Sequence, residues 1–146
     1  LVGWILTLFP NAKIIHAKRD VRDVALSCWL TQCGSIRWAC HEDHLSERIK
    51  QYERIMKHWH YVIPDRFIEM NYEDMVADQE GESRRLIDFI GLDWDEDCLR
   101  FFESDRIVRT ASITQVRQPI YKNSVARWKS YQQYIPELLN PLMPSD

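Results

Sequence analysis

The stretch that most constrains the fold runs from Lys13 to Trp29, KIIHAKRDVRDVALSCW. Its short β-branched run at Ile14 and Ile15 is typical of a buried strand. A helical pattern begins directly after Arg19 and Asp20. A strand that leads straight into a helix places the free N–H groups and positive dipole end of that helix at the carboxyl edge of a sheet. The sequence therefore predicts an arrangement that favours an anion at this edge.

Two side chains in this stretch have the chemistry to bind such an anion. Arg19 stands at the end of the strand, and Ser27 follows two helical turns later. A guanidinium and a hydroxyl can both bind one phosphate. The alternative is that Arg19 pairs with Asp23 on the surface and that Ser27 is an ordinary helix residue. These residues alone leave both interpretations open.

The next elements predict an α/β fold with a parallel pair of strands. The first helix is expected from about Asp20 to Thr31 or Cys33, with Gly34 as its stop. A longer helix follows, and we expect its apolar stripe to pack on the sheet. That stripe consists of Leu45, Ile49, Tyr52, Met56, Trp59 and Ile63. A second strand at 66–72 closes a strand–helix–strand crossover, which implies parallel pairing.

The flanking segments carry weaker signals. Residues 1–10 resemble the end of a buried helix, and their apolar run is too short to span a bilayer. The chain has no initiator Met, so we expect a piece of a longer protein. Towards the other end, an acid-opened helix is expected to end at Gly91 and a short one to occupy 94–102. Ser124 is expected to cap a final helix.

Charge is distributed unevenly along the 146 residues. The net charge is −3, which gives no general reason to expect nucleic-acid binding. Residues 112–129 nevertheless contain no acidic side chain, and they carry four basic ones, Arg117, Lys122, Arg127 and Lys129. Such a loop suits a phosphorylated or sulfated nucleotide. The alternative is an exposed basic loop without a ligand.

The cysteines do not form a convincing metal motif. Cys33, Cys40, His41 and His44 lack the C-x-x-C spacing of common zinc sites, so no metal is expected. Isolated cysteines are more often core or surface thiols of intracellular proteins. We therefore expect a cytoplasmic protein with no membrane partner.

Four motifs carry a resemblance to a known family. They are HAKRDVRDVALSCW at 16–29, RFIEMNYEDMVAD at 66–78, RLIDFIGLDWDEDCL at 85–99 and TASITQVRQPIYKNSVARWKSY at 110–131. In order and spacing they resemble the C-terminal part of sulfotransferases that use 3′-phosphoadenylyl sulfate (PAPS). The similarity is greatest to bacterial tetratricopeptide-linked sulfotransferases and tyrosylprotein sulfotransferases. It implies a P-loop-NTPase-like three-layer α/β fold with a parallel sheet, of which residues 1–146 would be an incomplete C-terminal portion within one domain.

The resemblance also implies roles for individual residues. Arg19 and Ser27 match the pair that binds the 3′-phosphate of PAPS, and Tyr72 matches a tyrosine beside the nucleotide. Arg127 matches a basic phosphate contact. Thr31 stands where tyrosylprotein sulfotransferases have a second arginine. A loop over the nucleotide would be formed by Ser112, Gln115, Val116, Arg117, Gln118, Pro119 and Tyr121.

The reaction implied is in-line transfer of a sulfuryl group from PAPS to a hydroxyl acceptor, with adenosine 3′,5′-bisphosphate as product and no metal. The acceptor would be a protein tyrosine, a sugar or a small molecule, and tetratricopeptide repeats would precede this chain in the same protein. A PRSGTT-like phosphosulfate loop and the catalytic base are not among these residues. His16, His58 and His60 are expected to be structural, and the alternative for His41 and His44 is a position facing a cleft. The chain alone is therefore expected to be inactive.

The alternative is a truncated or decayed relative that binds nucleotide or partner proteins without catalysis. A nucleotide kinase would need a Walker-type lysine loop, which the sequence lacks.

Overall fold

The described strands form a two-stranded parallel sheet. The computed structural model describes residues 1–30, 39, 41–103, 117–120 and 123–143. Strand β1 (Ile14–Lys18) pairs in parallel with β2 (Phe67–Asn71), from Ile14 opposite Phe67 to Lys18 opposite Asn71. The predicted parallel pair is confirmed. Because the register is unshifted, the carboxyl ends of both strands lie side by side.

Helix α1 (Val2–Leu8) precedes the sheet, and helix α2 (Val21–Leu30) follows β1 almost without a loop. The prediction that the opening residues form a helix is confirmed, but the prediction that they are buried is wrong. Leu1 is 99% exposed and Trp4 is 71% exposed. At Gly3, α1 lies close to α3, where a Cβ atom would be 3.2 Å from the Trp59 ring.

Helix α3 (Glu42–Val62) is the longest element in the described ranges. It begins three residues before the predicted stripe, where Glu42 and Asp43 suit the positive end of the helix dipole. The stripe packs on the sheet only in part. Leu45 and Ile49 instead enter the core with α2, while the Tyr52 ring meets His16 on β1 at 5.5 Å between centroids.

Helices α4 (Tyr72–Ala77) and α5 (Gln79–Ile90) follow β2. Tyr72, expected at the end of the strand, is the first residue of α4. Asp78 caps α5 by accepting a hydrogen bond from the Gly81 amide, and Gly91 ends the helix with φ of 79°, as its sequence position predicted. The short helix expected at 94–102 is a 3₁₀ helix at Glu96–Glu103, and another 3₁₀ turn spans Pro64–Arg66.

The C-terminal part of the described chain completes the core. A 3₁₀ turn (Arg127–Ser130), helix α6 (Pro136–Leu139) and a second 3₁₀ turn (Asn140–Leu142) pack on α2 and α3. The prediction that Ser124 caps a final helix is wrong. The turn instead starts after Ala126, which has φ of 55°, and the Ser124 carbonyl binds Arg19. The core consists of Ala25, Leu26, Leu45, Ile49, Trp128, Leu138, Leu139 and Leu142.

The fold is thus mixed α/β with a small parallel sheet. It is compatible with the expected P-loop-like architecture, and the three-layer arrangement stays a prediction. Within the described ranges, no helix combines the length and apolar character needed to cross a lipid bilayer.

Candidate functional site

Arg19 and Tyr72 meet at the carboxyl edge of the sheet. Each residue comes just after the end of its strand, and Lys18 and Asn71, which precede them, are paired in the register. The Arg19 guanidinium carbon lies 5.0 Å from the centroid of the Tyr72 ring. This distance is in the range of a cation–π contact, which is worth about 0.5–1 kcal/mol at exposed sites and more where water is excluded. Two residues expected at one site are therefore adjacent.

Arg19 also contacts α2 and the C-terminal segment, residues 123–131. Its Nη2 donates to the carbonyl oxygen of Ser124 at 2.5 Å and lies 3.9 Å from Oδ2 of Asp23. The Asp23 side chain is 0% exposed. The ion pair weighed as an alternative from sequence is thus present, but its carboxylate is buried and does not lie on the surface. The Arg19 side chain retains 28% exposure, so solvent still reaches it.

Carboxylates occupy the backbone amides at the start of α2. The Asp20 amide donates to Oε1 of Glu73 at 3.0 Å, and the Arg22 amide donates to Oδ1 of Asp20 at 2.9 Å. The sequence predicted that free N–H groups at this helix start would favour a bound anion, but these two amides already donate to carboxylates. Any anion bound here would consequently depend on the Arg19 side chain more than on the helix terminus.

A bidentate ion pair braces this start of the helix. Arg22 donates to Oδ1 of Asp20 through Nε at 2.8 Å and to Oδ2 through Nη2 at 2.6 Å. Its guanidinium also stacks 4.0 Å from the centroid of the Trp128 ring. Burial alone would raise the pKa of Asp20, but the hydrogen bonds and charge of Arg22 outweigh it, and the pKa is lowered. The same hydrogen bond raises the pKa of Arg22.

Two cavities meet at Arg19. The larger, of about 780 Å³, is lined by four basic and four acidic side chains together with residues 141–143. The charged residues are Lys18, Arg19, Asp20, Arg22, Lys50, Glu53, Glu73 and Asp74. The smaller, of about 470 Å³, is bordered mainly by apolar side chains such as Val24, Ile49 and Met56. Arg19 can therefore meet the charged end of a ligand that also has an apolar part.

The other expected site residues have different placements. Ser27 is exposed on α2, eight residues beyond Arg19, which corresponds to roughly 12 Å of helix rise. Arg127 is exposed and its guanidinium carbon lies 5.7 Å from the centroid of the Tyr131 ring. Arg117, Gln118 and Pro119 are exposed as well. The positions that lie outside the described residues are Thr31, Cys33, Cys40, Ser112, Gln115, Val116 and Tyr121.

Two polar groups near the site were not identified as such from sequence. Glu73 binds the start of α2, although its place beside Tyr72 at the end of a parallel strand could have suggested it. Glu69 lies opposite His16 in the register, with 3.3 Å between Oε1 and Nδ1, and the other ring nitrogen contacts the Tyr52 hydroxyl. Burial and the charges of Glu69 and Glu53 raise the pKa of Tyr52. His16 itself is buried and its partners Tyr52 and Glu69 are partly exposed, so a structural role for His16 stays a prediction. Among the described residues, no group of three or more His, Cys, Asp or Glu side chains could hold a metal ion.

Comparison with known proteins identifies the family. The model of the sulfotransferase family matches residues 1–96, which include both strands, Arg19 and Tyr72. The chain belongs to the sulfotransferase family. Arg19, Asp23 and Tyr72 therefore lie within the matched part of the chain, whereas Ser124 and Trp128 lie beyond it.

Curated relatives are similar to this chain over different lengths. An uncharacterized protein of Aquifex aeolicus is 35% identical over 145 residues, which are 97% of this chain and 19% of that protein. The omega-hydroxy-beta-dihydromenaquinone-9 sulfotransferase Stf3 of Mycobacterium bovis is 30% identical over 97 residues, or 60% of this chain and 25% of the relative. The Stf3 protein of Mycobacterium tuberculosis matches to the same extent. This chain thus spans at most a quarter of the length of these relatives.

Proposed function

We propose that the protein transfers a sulfuryl group from PAPS to a hydroxyl acceptor, and that the residues around Arg19 bind the nucleotide end of the donor. Membership of the sulfotransferase family supports the reaction class. A mycobacterial relative named as a sulfotransferase supports it as well. The donor and the roles of individual residues go beyond both findings and are our proposal.

The observation that carries the donor assignment is the position of Arg19. It is a partly exposed cation at the carboxyl edge of a parallel sheet, stacked on Tyr72 and bordering both a charged and an apolar cavity. In open α/β sheets, ligands bind at this edge. A nucleotide with a phosphate on its ribose has the required combination of a dianion and an aromatic base. We assign the phosphate to Arg19 and the neighbouring ring to Tyr72.

Further contacts to the donor are proposed from the sequence motifs. Ser27 would add a hydroxyl to the phosphate, and Arg127 would add a positive charge from the C-terminal segment. The loop that contains Ser112, Gln115, Val116, Arg117, Gln118, Pro119 and Tyr121 would contact the nucleotide from the other side. Arg19 and Arg127 would bind the donor phosphate by charge–charge attraction and charged hydrogen bonds, without taking part in bond making or breaking.

These residues would contribute to catalysis by holding the donor. Transfer in line requires the acceptor hydroxyl, the sulfur and the leaving phosphate to be aligned, and fixing the nucleotide fixes one end of that line. A general base must also take the acceptor proton. We assign that base to none of the residues described above.

Binding of two nucleotides to the natural full-length protein tests the donor assignment. Adenosine 3′,5′-bisphosphate and 5′-AMP differ only in the 3′-phosphate, so their affinity ratio measures recognition of that group. Replacement of Arg19 by Ala removes a charge-assisted hydrogen bond worth about 1.5–3 kcal/mol, which corresponds to a loss of roughly 10- to 100-fold for the bisphosphate. We expect little change for 5′-AMP. Isothermal titration calorimetry measures both affinities.

Arg54→Ala is the matched control, because Arg54 is an exposed arginine on α3. It should leave the affinity ratio unchanged. Equal affinities of the wild-type protein for the two nucleotides would contradict the assignment of a 3′-phosphate site. A strong preference in a protein that transfers no sulfuryl group would favour the alternative, a nucleotide-binding relative without catalysis.

A further inference from the structure

Asp23 is a buried carboxylate with an incomplete set of partners. It lies in the first turn of α2, and its side chain is fully buried. Oδ1 accepts a hydrogen bond from the backbone amide of Trp128 at 2.9 Å. Oδ2 has no hydrogen-bond partner among the described residues. A buried charge needs pairing because the loss of its water is expensive, so the position of Asp23 requires an explanation.

Among the described residues, Arg19 is the cation that forms an ion pair with this carboxylate. The distance from Nη2 of Arg19 to Oδ2 of Asp23 is 3.9 Å, too long for a hydrogen bond but within the range of an ion pair. Within the described residues, Nε of Arg19 is also buried without a hydrogen-bond partner. A donor and an acceptor of opposite charge thus lie close together and are both incompletely satisfied.

Both residues bind the same C-terminal segment, residues 123–131. Arg19 donates to the carbonyl of Ser124, and Asp23 accepts from the amide of Trp128. Each bond joins residues 105 positions apart in the chain. Any group that draws Arg19 away from the Ser124 carbonyl therefore acts on the contact between this segment and the junction of β1 and α2.

We propose that Asp23 is a positioning residue for donor binding, which couples Arg19 to the segment 123–131. This inference rests on the proposed function. A phosphate dianion is a stronger acceptor than a carbonyl, so it would compete with Ser124 for the Arg19 guanidinium. Asp23 keeps the guanidinium at the end of β1 during this exchange and holds Trp128 at the same time.

Simple electrostatics makes the opposite prediction for a change at Asp23. Removing a negative charge near a bound phosphate would reduce repulsion and strengthen binding. Loss of a positioning contact would weaken it, because Arg19 would no longer be held in place for the phosphate. The direction of the change therefore distinguishes positioning from a mere background charge.

The test is Asp23→Asn in the natural full-length protein. Asparagine retains a carbonyl oxygen for the Trp128 amide and lacks the negative charge. We expect the affinity for adenosine 3′,5′-bisphosphate to fall about tenfold, with the affinity for 5′-AMP changed less than about twofold. In the Arg19→Ala background the same substitution should have no further effect, since coupled residues are non-additive. Asp88→Asn, on the exposed surface of α5, is the charge-matched control.

A measurement on the wild-type protein does not depend on the folding of any variant. With isotope-labelled tryptophan, the Trp128 amide resonance should shift on addition of adenosine 3′,5′-bisphosphate and stay in place with 5′-AMP. Tighter bisphosphate binding by Asp23→Asn, an equal loss for both nucleotides, or an unmoved Trp128 resonance would overturn the positioning role. If the wild-type protein has no preference for the bisphosphate, the proposed donor site itself fails and this inference fails with it.

Discussion

Arg19 uses its faces and edges for different partners. Its guanidinium stacks on Tyr72, donates to the carbonyl of Ser124 and pairs with Asp23. A planar guanidinium can stack and donate at once, whereas the ammonium of lysine is a compact point charge. These partners come from the start of α4, the C-terminal segment and α2. The position of one side chain therefore depends on three separate parts of the chain.

The pair Asp20–Arg22 makes the stability depend on pH. The pKa of Asp20 is lowered in the folded protein, so its ionised form contributes stability at neutral pH. This contribution is lost as the pH falls from the ordinary range of a free Asp, about 4, through the lowered folded pKa. Replacement of Asp20 by Asn, which still caps the helix, should cost about 1 kcal/mol at pH 7. Urea unfolding at a series of pH values measures this cost.

The difference in the free energy of unfolding between wild type and Asp20→Asn should shrink towards pH 3. Asp97→Asn provides a control, because Asp97 pairs with Arg100 at 2.5 Å but is 76% exposed. Exposed ion pairs contribute little, so that variant should differ from wild type by less at pH 7. A constant difference between wild type and Asp20→Asn from pH 7 to pH 3 would contradict the role given to this ion pair.

At the residue scale, the sequence predicted proximity better than burial. The adjacency of Arg19 and Tyr72 follows from parallel strands, because residues just after two such strands share one edge. The spacing of Arg19 and Asp23 left an ion pair open as one of two interpretations, and that interpretation placed it on the surface. The carboxylate is buried because Trp128, more than a hundred positions along the chain, packs over α2. Local spacing contains no information on that distant packing.

Helix α6 shows that a very short element can be essential to a core. It has four residues, and an isolated helix of that length is unstable in water. It is stabilised by the burial of Leu138, 2% exposed, and Leu139, 0% exposed, in the core with α2 and α3. Pro136 is its first residue and Pro141 lies two positions after its last one, and four residues are too few to show a helical period in the sequence.

Replacement of Leu139 by Ala should destabilise the fold substantially. Truncation of a fully buried leucine removes apolar contacts and leaves a cavity, with a typical cost of about 2–5 kcal/mol. Leu92→Ala is the control, since Leu92 is 63% exposed, and it should cost less than about 0.5 kcal/mol. Chemical denaturation monitored by tryptophan fluorescence measures both. Equal effects of the two substitutions would show that α6 does not contribute to the core.

At the scale of elements, strong periodicity was a good guide. Strands β1 and β2 and helix α3 follow from patterns over several residues. The end of α5 follows from a glycine, Gly91, just after the last residue of the helical pattern. The expected burial of α1 was wrong. Its apolar side chains, such as Trp4 and Leu8, are largely exposed in the described structure. Apolar composition predicted the helix but contained no information on what would cover it.

At the scale of the whole molecule, the core extends beyond the family match. The match ends at residue 96, whereas the core includes Trp128, Leu138, Leu139 and Leu142. Residues 123–143 are therefore integral to the described fold. Within them, Ser124 and Trp128 bind Arg19 and Asp23. The sequence predicted the α/β class and the parallel pair. The two-stranded sheet alone does not establish the three-layer arrangement implied by the resemblance.

Transfer of a labelled sulfuryl group is the direct test of the proposed sulfotransferase activity. The natural full-length protein would be incubated with PAPS that carries a radioactive sulfur atom and with a deproteinised extract of small hydroxyl compounds and peptides. We expect labelled sulfate esters to form together with adenosine 3′,5′-bisphosphate. We also expect Arg19→Ala to slow their formation at least tenfold at limiting PAPS, since donor affinity falls. Absence of any labelled ester, or equal rates for wild type and Arg19→Ala, would contradict this account.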